Sequence, residues 1–286
     1  MRVLVLGAGG QVGRALVAAL PEATALTHAD LDIGDAATAE LGWSTYDVII
    51  NAAAYTDVDG AESDGGRRAA WRANATGPAA LAAIARRYGL VLVHLSSEYV
   101  FDGQQREPYA EDAPLAPLNA YGAAKAAGDI AVRSAERHYI VRPTWVVGEG
   151  RNFVRTMLAL AAKGVSPTVV ADQVGRPTFA SEIASTIGTL VRTGAPFGTY
   201  HVTGGGPAAS WAEVARATYE LAGRGEIDVG ETTTAAYFAD KPAAARRPRN
   251  SVLALDKVRA LGITSRPWQE SLAEYVAAQL RALSGP

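Results

Sequence analysis

The chain has 286 residues, 27 Lys plus Arg against 29 Asp plus Glu, a net charge of −2 and no cysteine. Lack of cysteine excludes disulfides, zinc–thiolate sites, iron–sulfur ligation and a thiol nucleophile, and the balanced charge lacks the basic field that sequence-independent nucleic-acid binding needs. With 49% hydrophobic and 20% charged residues, the composition is that of a globular chain with a sizeable core, long enough for one large domain or two small ones.

Residues 2–6 (Arg-Val-Leu-Val-Leu) predict a first strand that runs straight into Gly7, without the basic and apolar regions of a secretory leader. No apolar run approaches the roughly 18 residues of a membrane span, so a cytoplasmic protein with no membrane partner is expected. Gly7-Ala8-Gly9-Gly10-Gln11-Val12-Gly13 then opens a predicted helix over 11–20. Glycines let a backbone turn sharply and approach a pyrophosphate, which the free N–H groups and positive end of the helix hold. The spacing is G-x-x-G-x-x-G through Gly7, Gly10 and Gly13, because Val12 takes the last glycine position of the commoner pattern. A glycine-rich turn with no ligand is the bland alternative, which the strand–turn–helix context disfavours.

A second strand over 23–27 ends at Leu26-Thr27-His28, without the acid that usually grips a ribose, although Asp30 and Asp32 follow. That end leaves room for a 2′-phosphate, so NADPH is permitted, while the lack of an arginine beside Thr27 keeps NADH open. The third strand, 47–51, leads into Asn51-Ala52-Ala53-Ala54-Tyr55-Thr56, whose small residues leave space for a flat ring, or equally for tight packing. Next come a helix over 68–87 and a strand over 90–96 that ends in Ser96-Ser97-Glu98-Tyr99. A helix over 121–137 opens with Tyr121-Gly122-Ala123-Ala124-Lys125, and a strand follows at 139–142. The i, i+4 spacing puts Tyr121 and Lys125 on one helix face, where an ammonium is expected to lower the phenol pKa from about 10. With a hydroxyl at the preceding strand end, the pair forms a constellation for hydride transfer.

Strands that are apolar throughout, separated by helices, predict a doubly wound parallel sheet covered on both faces. Beyond about residue 148 the rhythm changes. A helix over 152–163, a strand over 168–171, a helix over 181–193 and a strand over 199–203 lead to Gly204-Gly205-Gly206, and helices over 210–222 and 268–283 close the chain. The expected fold is α/β: a Rossmann-type sheet over 1–147, to which 178–205 returns, and a smaller α+β substrate-binding lobe from 148–177 and 206–286. His28, His94, His138 and His201 show no metal-ligand spacing. Arg246, Arg247 and Arg249 read by default as a solvated loop, within reach of a phosphate at most.

Several blocks together resemble the extended short-chain dehydrogenase/reductases, and within them the dTDP-4-dehydrorhamnose reductases. They are Gly7 to Gly13, Asn51 to Glu62, Asn74-Ala75-Thr76, Ser96 to Gly103, Tyr121 to Lys125, Arg142 to Trp145, Asn152-Phe153, Asp172 to Thr178 and Arg249-Asn250-Ser251. The resemblance implies that Ser97 hydrogen-bonds a C4 ketone, that Tyr121 protonates the developing alkoxide and that Lys125 tunes Tyr121 and holds the nicotinamide ribose. It implies a cofactor site at Gly7, Gly10, Gln11, Val12, Gly13, Asp32, Ile33, Ala52, Ala53, Ala54, Tyr55, Tyr121 and Lys125. The sugar nucleotide falls to Val58, Ser97, Glu98, Tyr99, Trp145, Asn152, Phe153, Gln173, Gly175, Pro177 and Thr178. Reduction of dTDP-4-dehydro-β-L-rhamnose to dTDP-L-rhamnose by NADPH, or NADH, is the activity implied, with no metal ligand among these residues. Another dTDP-4-keto-6-deoxyhexose, or a non-catalytic nucleotide-binding regulatory subunit, is the alternative. Where the family carries Ser-Thr-Asp this chain has Ser96-Ser97-Glu98, and Gly128-Asp129 replaces Gly-Glu. Ala15 stands where some members carry a glutamate that supports a magnesium-dependent dimer, which leaves Mg²⁺ dependence open and a monomer or a different homodimer expected.

Overall fold

Alternate residues of the first strand enter different cores. The structure, a computed structural model, describes residues 1–284. Val3 and Val5 of β1 (Val3–Leu6) pack on one side with Leu16 of α1 (Gln11–Ala19), while Leu4 and Leu6 pack on the other with Ile33, Leu81 and Ile140. A strand buried on both faces demands parallel neighbours and helices above and below. The chain supplies them as β2 (Thr24–Leu26), β3 (Val48–Asn51), α2 (Asp64–Trp71), α3 (Gly77–Tyr88), β4 (Val91–Leu95), α4 (Ala120–Val132) and β5 (His138–Arg142).

The second half begins with β6 (Val146–Val147), α5 (Phe153–Ala162), β7 (Thr168–Val170), β8 (Val174–Gly175), β9 (Thr178–Phe179), α6 (Ala180–Thr193) and β10 (Gly198–His201). It ends with β11 (Ala209–Ser210), α7 (Trp211–Leu221), β12 (Gly230–Thr232), α8 (Thr234–Tyr237), α9 (Asp256–Ala260) and α10 (Trp268–Ser284). Six strands form one parallel sheet in the order β10-β5-β4-β3-β1-β2. Chain order reverses between β1 and β3, and a cleft opens beyond the carboxyl ends of strands at such a point. Around α5, α7 and α10, Leu158, Val214, Trp268 and Leu272 form a separate core, bordered by the two-stranded pairs β6–β9, β7–β12 and β8–β11.

One predicted helix is two. The stretch 68–87 is interrupted at Arg72–Thr76 by a π-helical turn, because Asn74 turns inward. Its side chain accepts from Tyr55 N and donates to Tyr55 O, both at 3.0 Å. The turn trades regular helix bonds for a clamp on the loop after β3. Behind α4 lies a buried ionic group: Arg142 Nε donates to Asp129 Oδ2 at 2.9 Å, and Asn51 Nδ2 lies 3.1 Å from His94 Nδ1. No helix among the described residues is long and apolar enough to cross a membrane.

Candidate active site

The glycine turn is set by close approach. Gly7 has φ +80°, and a Cβ there would fall 2.4 Å from Ala53 N. A Cβ on Gly13 would fall 2.1 Å from Gly7 O, so α1 starts directly against the turn. Gly10 caps α1 without a side-chain bond, and its first turn contains no acid. Its leading N–H groups therefore remain available to an anion. Beyond β2, Asp30 is turned back onto its own chain, accepting from Thr27 N at 2.8 Å and Thr27 Oγ1 at 2.7 Å. Asp32 accepts from Gly34 N at 2.8 Å and pairs with Arg72 at 3.1 Å.

These groups line a cleft of roughly 790 Å³ that reaches from Asp32 and Ile33 past Gln11 and Ala53 to Tyr121 and Lys125. Twelve of the thirteen residues expected around a dinucleotide line it; Gly13 serves instead as the contact beneath the turn. Three arginines, a histidine and a glutamate that sequence reasoning did not assign to it also line it: Arg14, Arg72, Arg151, His28 and Glu149. Arg72 sits in the π-helical turn, a position with no local sequence signal.

Beside Tyr121, with which it hydrogen-bonds, Ser97 caps the short turn Glu98–Val100 through Tyr99 N, while Ser96 lines the cleft itself. Asn119 caps α4, so Tyr121 lies in its first turn. Tyr121 is buried beside Tyr55, Val58 and Tyr99, its ring 5.5 Å edge-on from that of Tyr99. Lys125, 2% exposed, donates from Nζ to Leu95 O at 2.9 Å. Ser97 Oγ donates to Glu98 Oε2 at 2.7 Å, and Glu98 is 4% exposed. Burial pushes the Glu98 carboxyl up to about 7 despite that bond. It also pushes Lys125 down to about 8, partly opposed by Asp129. The expected lowering of the Tyr121 phenol is not found. Burial raises it, the nearby Glu98 charge adds to this, and a hydrogen bond with Ser97 opposes it only in part.

The residues expected to meet a sugar nucleotide fall into groups. Val58, Ser97, Glu98 and Tyr99 surround Tyr121. Trp145, with φ +42°, stacks 3.7 Å from Trp211, against which Phe153 also packs, and its ring lies over Gly175. Asn152 caps α5 and bonds Gly148 O and Tyr275 Oη. Gln173 donates to Thr234 Oγ1, Thr178 pairs β9 with β6, and Pro177 O lies against Gly204. A second cavity, of roughly 950 Å³, lies between Gly103–Arg106, Asp172–Arg176 and Arg246–Asn250. Arg246, Arg247 and Arg249 thus line a cavity, together with Arg106 and Arg176; their density in one short stretch was the available signal.

A doubly wound sheet whose switch-point cleft ends in a strand-end hydroxyl and a helical Tyr-x-x-x-Lys is that of a short-chain dehydrogenase/reductase, an oxidoreductase that uses a nicotinamide cofactor. The chain belongs, within that class, to the family described as the RmlD substrate binding domain, which matches residues 1–281. It is 39% identical to the dTDP-4-dehydrorhamnose reductase of Sinorhizobium fredii, over 98% of each chain. It is 40% identical to the dTDP-4-keto-6-deoxy-D-glucose reductase of Streptomyces niveus, over 96% of each. Its fold superposes on the dTDP-4-dehydrorhamnose reductase of Bacillus anthracis, solved in complex with NADP, with a TM-score of 0.85 at 33% identity, covering 97% of this chain and 98% of that one.

Proposed function

We propose that the protein reduces the C4 ketone of dTDP-4-dehydro-β-L-rhamnose with NADPH, giving dTDP-L-rhamnose. The observation that carries this reading is the meeting of Tyr121 and Lys125 in a cleft that begins at an uncapped helix terminus, with Ser97 hydrogen-bonded to Tyr121 beside it. The residues present fit a dinucleotide. Gly7, Gly10 and the first N–H groups of α1 would take its diphosphate, Asp32 and Ile33 its adenosine end, and Ala52 to Tyr55 its nicotinamide half. Since Asp30 faces Thr27 while Arg14, His28 and Arg72 line the cleft, the surroundings favour an added 2′-phosphate. When bound, the reduced cofactor supplies a hydride.

Everything else falls to the protein. Lys125 would hold the ribose from beneath while its charge favours proton release by Tyr121. Tyr121 donates its proton to the oxygen that becomes a hydroxyl, help typically worth about 10²–10⁴ in rate. A positive charge near a buried phenol favours phenolate, so the Lys125 ammonium, one helical turn from Tyr121, would work against the burial that raises the phenol. The arginine-lined cavity supplies charge for the diphosphate of the sugar nucleotide, with bidentate donors suited to phosphate oxygens.

A second reading, reduction of a different dTDP-4-keto-6-deoxyhexose, is favoured by Glu98, longer than the aspartate of related chains and packed where the sugar would lie. One assay tests both. Purified protein should oxidise NADPH only when dTDP-4-dehydrorhamnose is present, with NMR identifying rhamnose as the product, and Tyr121→Phe should lower turnover at least a hundredfold. Full activity in Tyr121→Phe removes the phenol from the mechanism. A product other than rhamnose selects the second reading, and nucleotide binding without turnover of any 4-keto sugar points to a regulatory subunit.

A further inference from the structure

Glu98 spends its extra methylene on reaching back to Ser97. A serine hydroxyl has one proton to donate and two lone pairs to accept with. Ser97 Oγ already accepts from Tyr99 N at 3.2 Å. If Glu98 is a carboxylate, which can only accept, the 2.7 Å contact consumes the proton of Ser97. A ketone arriving there would meet an oxygen with nothing to donate. If Glu98 is a carboxylic acid, the bond reverses. Its O–H fills the second lone pair of Ser97, and the serine proton, released from Glu98, is shared with the Tyr121 phenol oxygen beside it and can pass to the ketone that arrives there.

We propose that Glu98 is a positioning residue that works in its acid form, turning the Ser97 hydroxyl into a donor toward the substrate C4 oxygen. The proposal rests on the reductase reading above and adds to it a proton that must be in place before substrate binds.

The surroundings of Glu98 suit a neutral acid. From α4 the Tyr121 phenol faces it, and Tyr99 lies beside it; the charge of Glu98 opposes ionisation of both. Its own N–H donates to Pro143 O at 3.3 Å. Arg247 and Asp59, from the segments on the other side, act on Tyr99. Lys125, also on α4, is committed to Leu95 O. Burial dominates and pushes the carboxyl up to about 7. The acid form therefore prevails below about 7 and is lost as pH rises through that value, and donation by Ser97 is lost with it.

The test is the pH profile of kcat/KM for dTDP-4-dehydrorhamnose, from about pH 5.5 to about pH 9, in wild type, Glu98→Gln and Ser97→Ala. Wild type should lose about tenfold per pH unit above about 7. The amide of Glu98→Gln donates to Ser97 at every pH, so its limb should move up to that of Lys125, near 8. Ser97→Ala should lack the limb near 7 and be slower throughout. An unchanged limb in Glu98→Gln or in Ser97→Ala, or a flat wild-type profile, overturns the proposal. Should Glu98→Gln not fold, Ser97→Ala carries the same decision. A readout independent of turnover is the infrared C=O band of a protonated carboxyl, recorded on the protein with no sugar added. The band should titrate away near 7 and be missing in Glu98→Gln. Turnover without that band at pH 6 overturns the role of Glu98 alone. The band without turnover of any 4-keto sugar nucleotide overturns the reductase reading and this role with it.

Discussion

Lys125 shows what burying an ammonium costs. A lysine 2% exposed, with Nζ on a single backbone carbonyl, is charged in a place that disfavours charge. Its pKa drops from 10.5 to about 8. Between those values the unfolded chain binds more protons than the folded one, so this group makes stability rise with pH across that window. At pH 7 both states carry the charge and the full penalty stands, on the order of 3 kcal/mol at about 1.4 kcal/mol per pKa unit. Lys125→Met should therefore lose the part of the stability rise that wild type shows between pH 8 and 10, as measured by urea unfolding at fixed pH values, while turnover falls. An identical pH slope in the two proteins would show that Lys125 is not strained. The same residue marks a limit of reading sequence. Spacing put Tyr121 and Lys125 on one helix face, and the structure keeps them there. That the phenol is raised rather than lowered depends on burial and on Glu98 packing against it, and neither is written in a five-residue motif.

At the scale of elements, α4 is positioned by its first turn. Asn119 accepts from Gly122 N at 2.7 Å and donates to Arg246 O at 2.7 Å, and Glu62 Oε1 accepts from Ala120 N at 2.8 Å. Gly122 lets the helix close on the Glu98 turn, since a Cβ there would fall 2.2 Å from Tyr99 O. Asn119 thus ends a loop, starts the helix that carries Tyr121 and holds the segment around Arg246. Its two roles separate by substitution. Asn119→Ala should cost about 1 kcal/mol in thermal unfolding, the usual value of such a cap, and lower kcat. Asn119→Asp keeps the acceptor and loses the donor, so its melting point should stay near wild type while KM for the sugar nucleotide rises. Equal melting losses in both variants would show that the bond to Arg246, not the cap, dominates.

The main strands were legible in advance because each is strongly patterned: β1 is apolar throughout, β3 at every position but Asn51 and β4 at every position but His94, and the glycine turn sits where a strand must become a helix. The π-helical turn was not, since Asn74 leaves the helix register to clamp Tyr55, nineteen residues away in sequence. Nor were the two-residue strands of the second half, such as β6, β8 and β11. Pairs that short have no periodicity of their own and exist only because larger elements bring them together.

At the scale of the molecule, the strands up to β5 carry the cleft proposed for the dinucleotide, and residues 245–250 cross back toward it carrying arginines. The crossing is tied down at Asp59, which accepts from Ala245 N and from Arg247 Nη2, both at 2.9 Å. Burial alone would raise the Asp59 carboxyl, but these bonds outweigh it and hold it below its ordinary value. The tie is accordingly present at neutral pH and weakens as pH falls through that lowered value. Asp59 is half exposed, and a pair of this kind contributes only about 0–1 kcal/mol to stability. It holds Arg246, Arg247 and Arg249 around one cavity, and on the proposed function that would lower the ordering cost of binding a diphosphate. Asp59→Asn keeps an acceptor for Ala245 N and removes the charge facing Arg247. KM for the sugar nucleotide should then rise about fivefold, the equivalent of about 1 kcal/mol, with the melting point little changed. Affinity for NADPH should be unaltered, because the dinucleotide cleft and the arginine-lined cavity share no lining residue. Isothermal titration with NADPH beside steady-state kinetics decides the matter: equal weakening of cofactor and sugar nucleotide would mean that Asp59 supports the fold as a whole, whereas loss confined to the sugar nucleotide assigns the tie to the arginine-lined cavity.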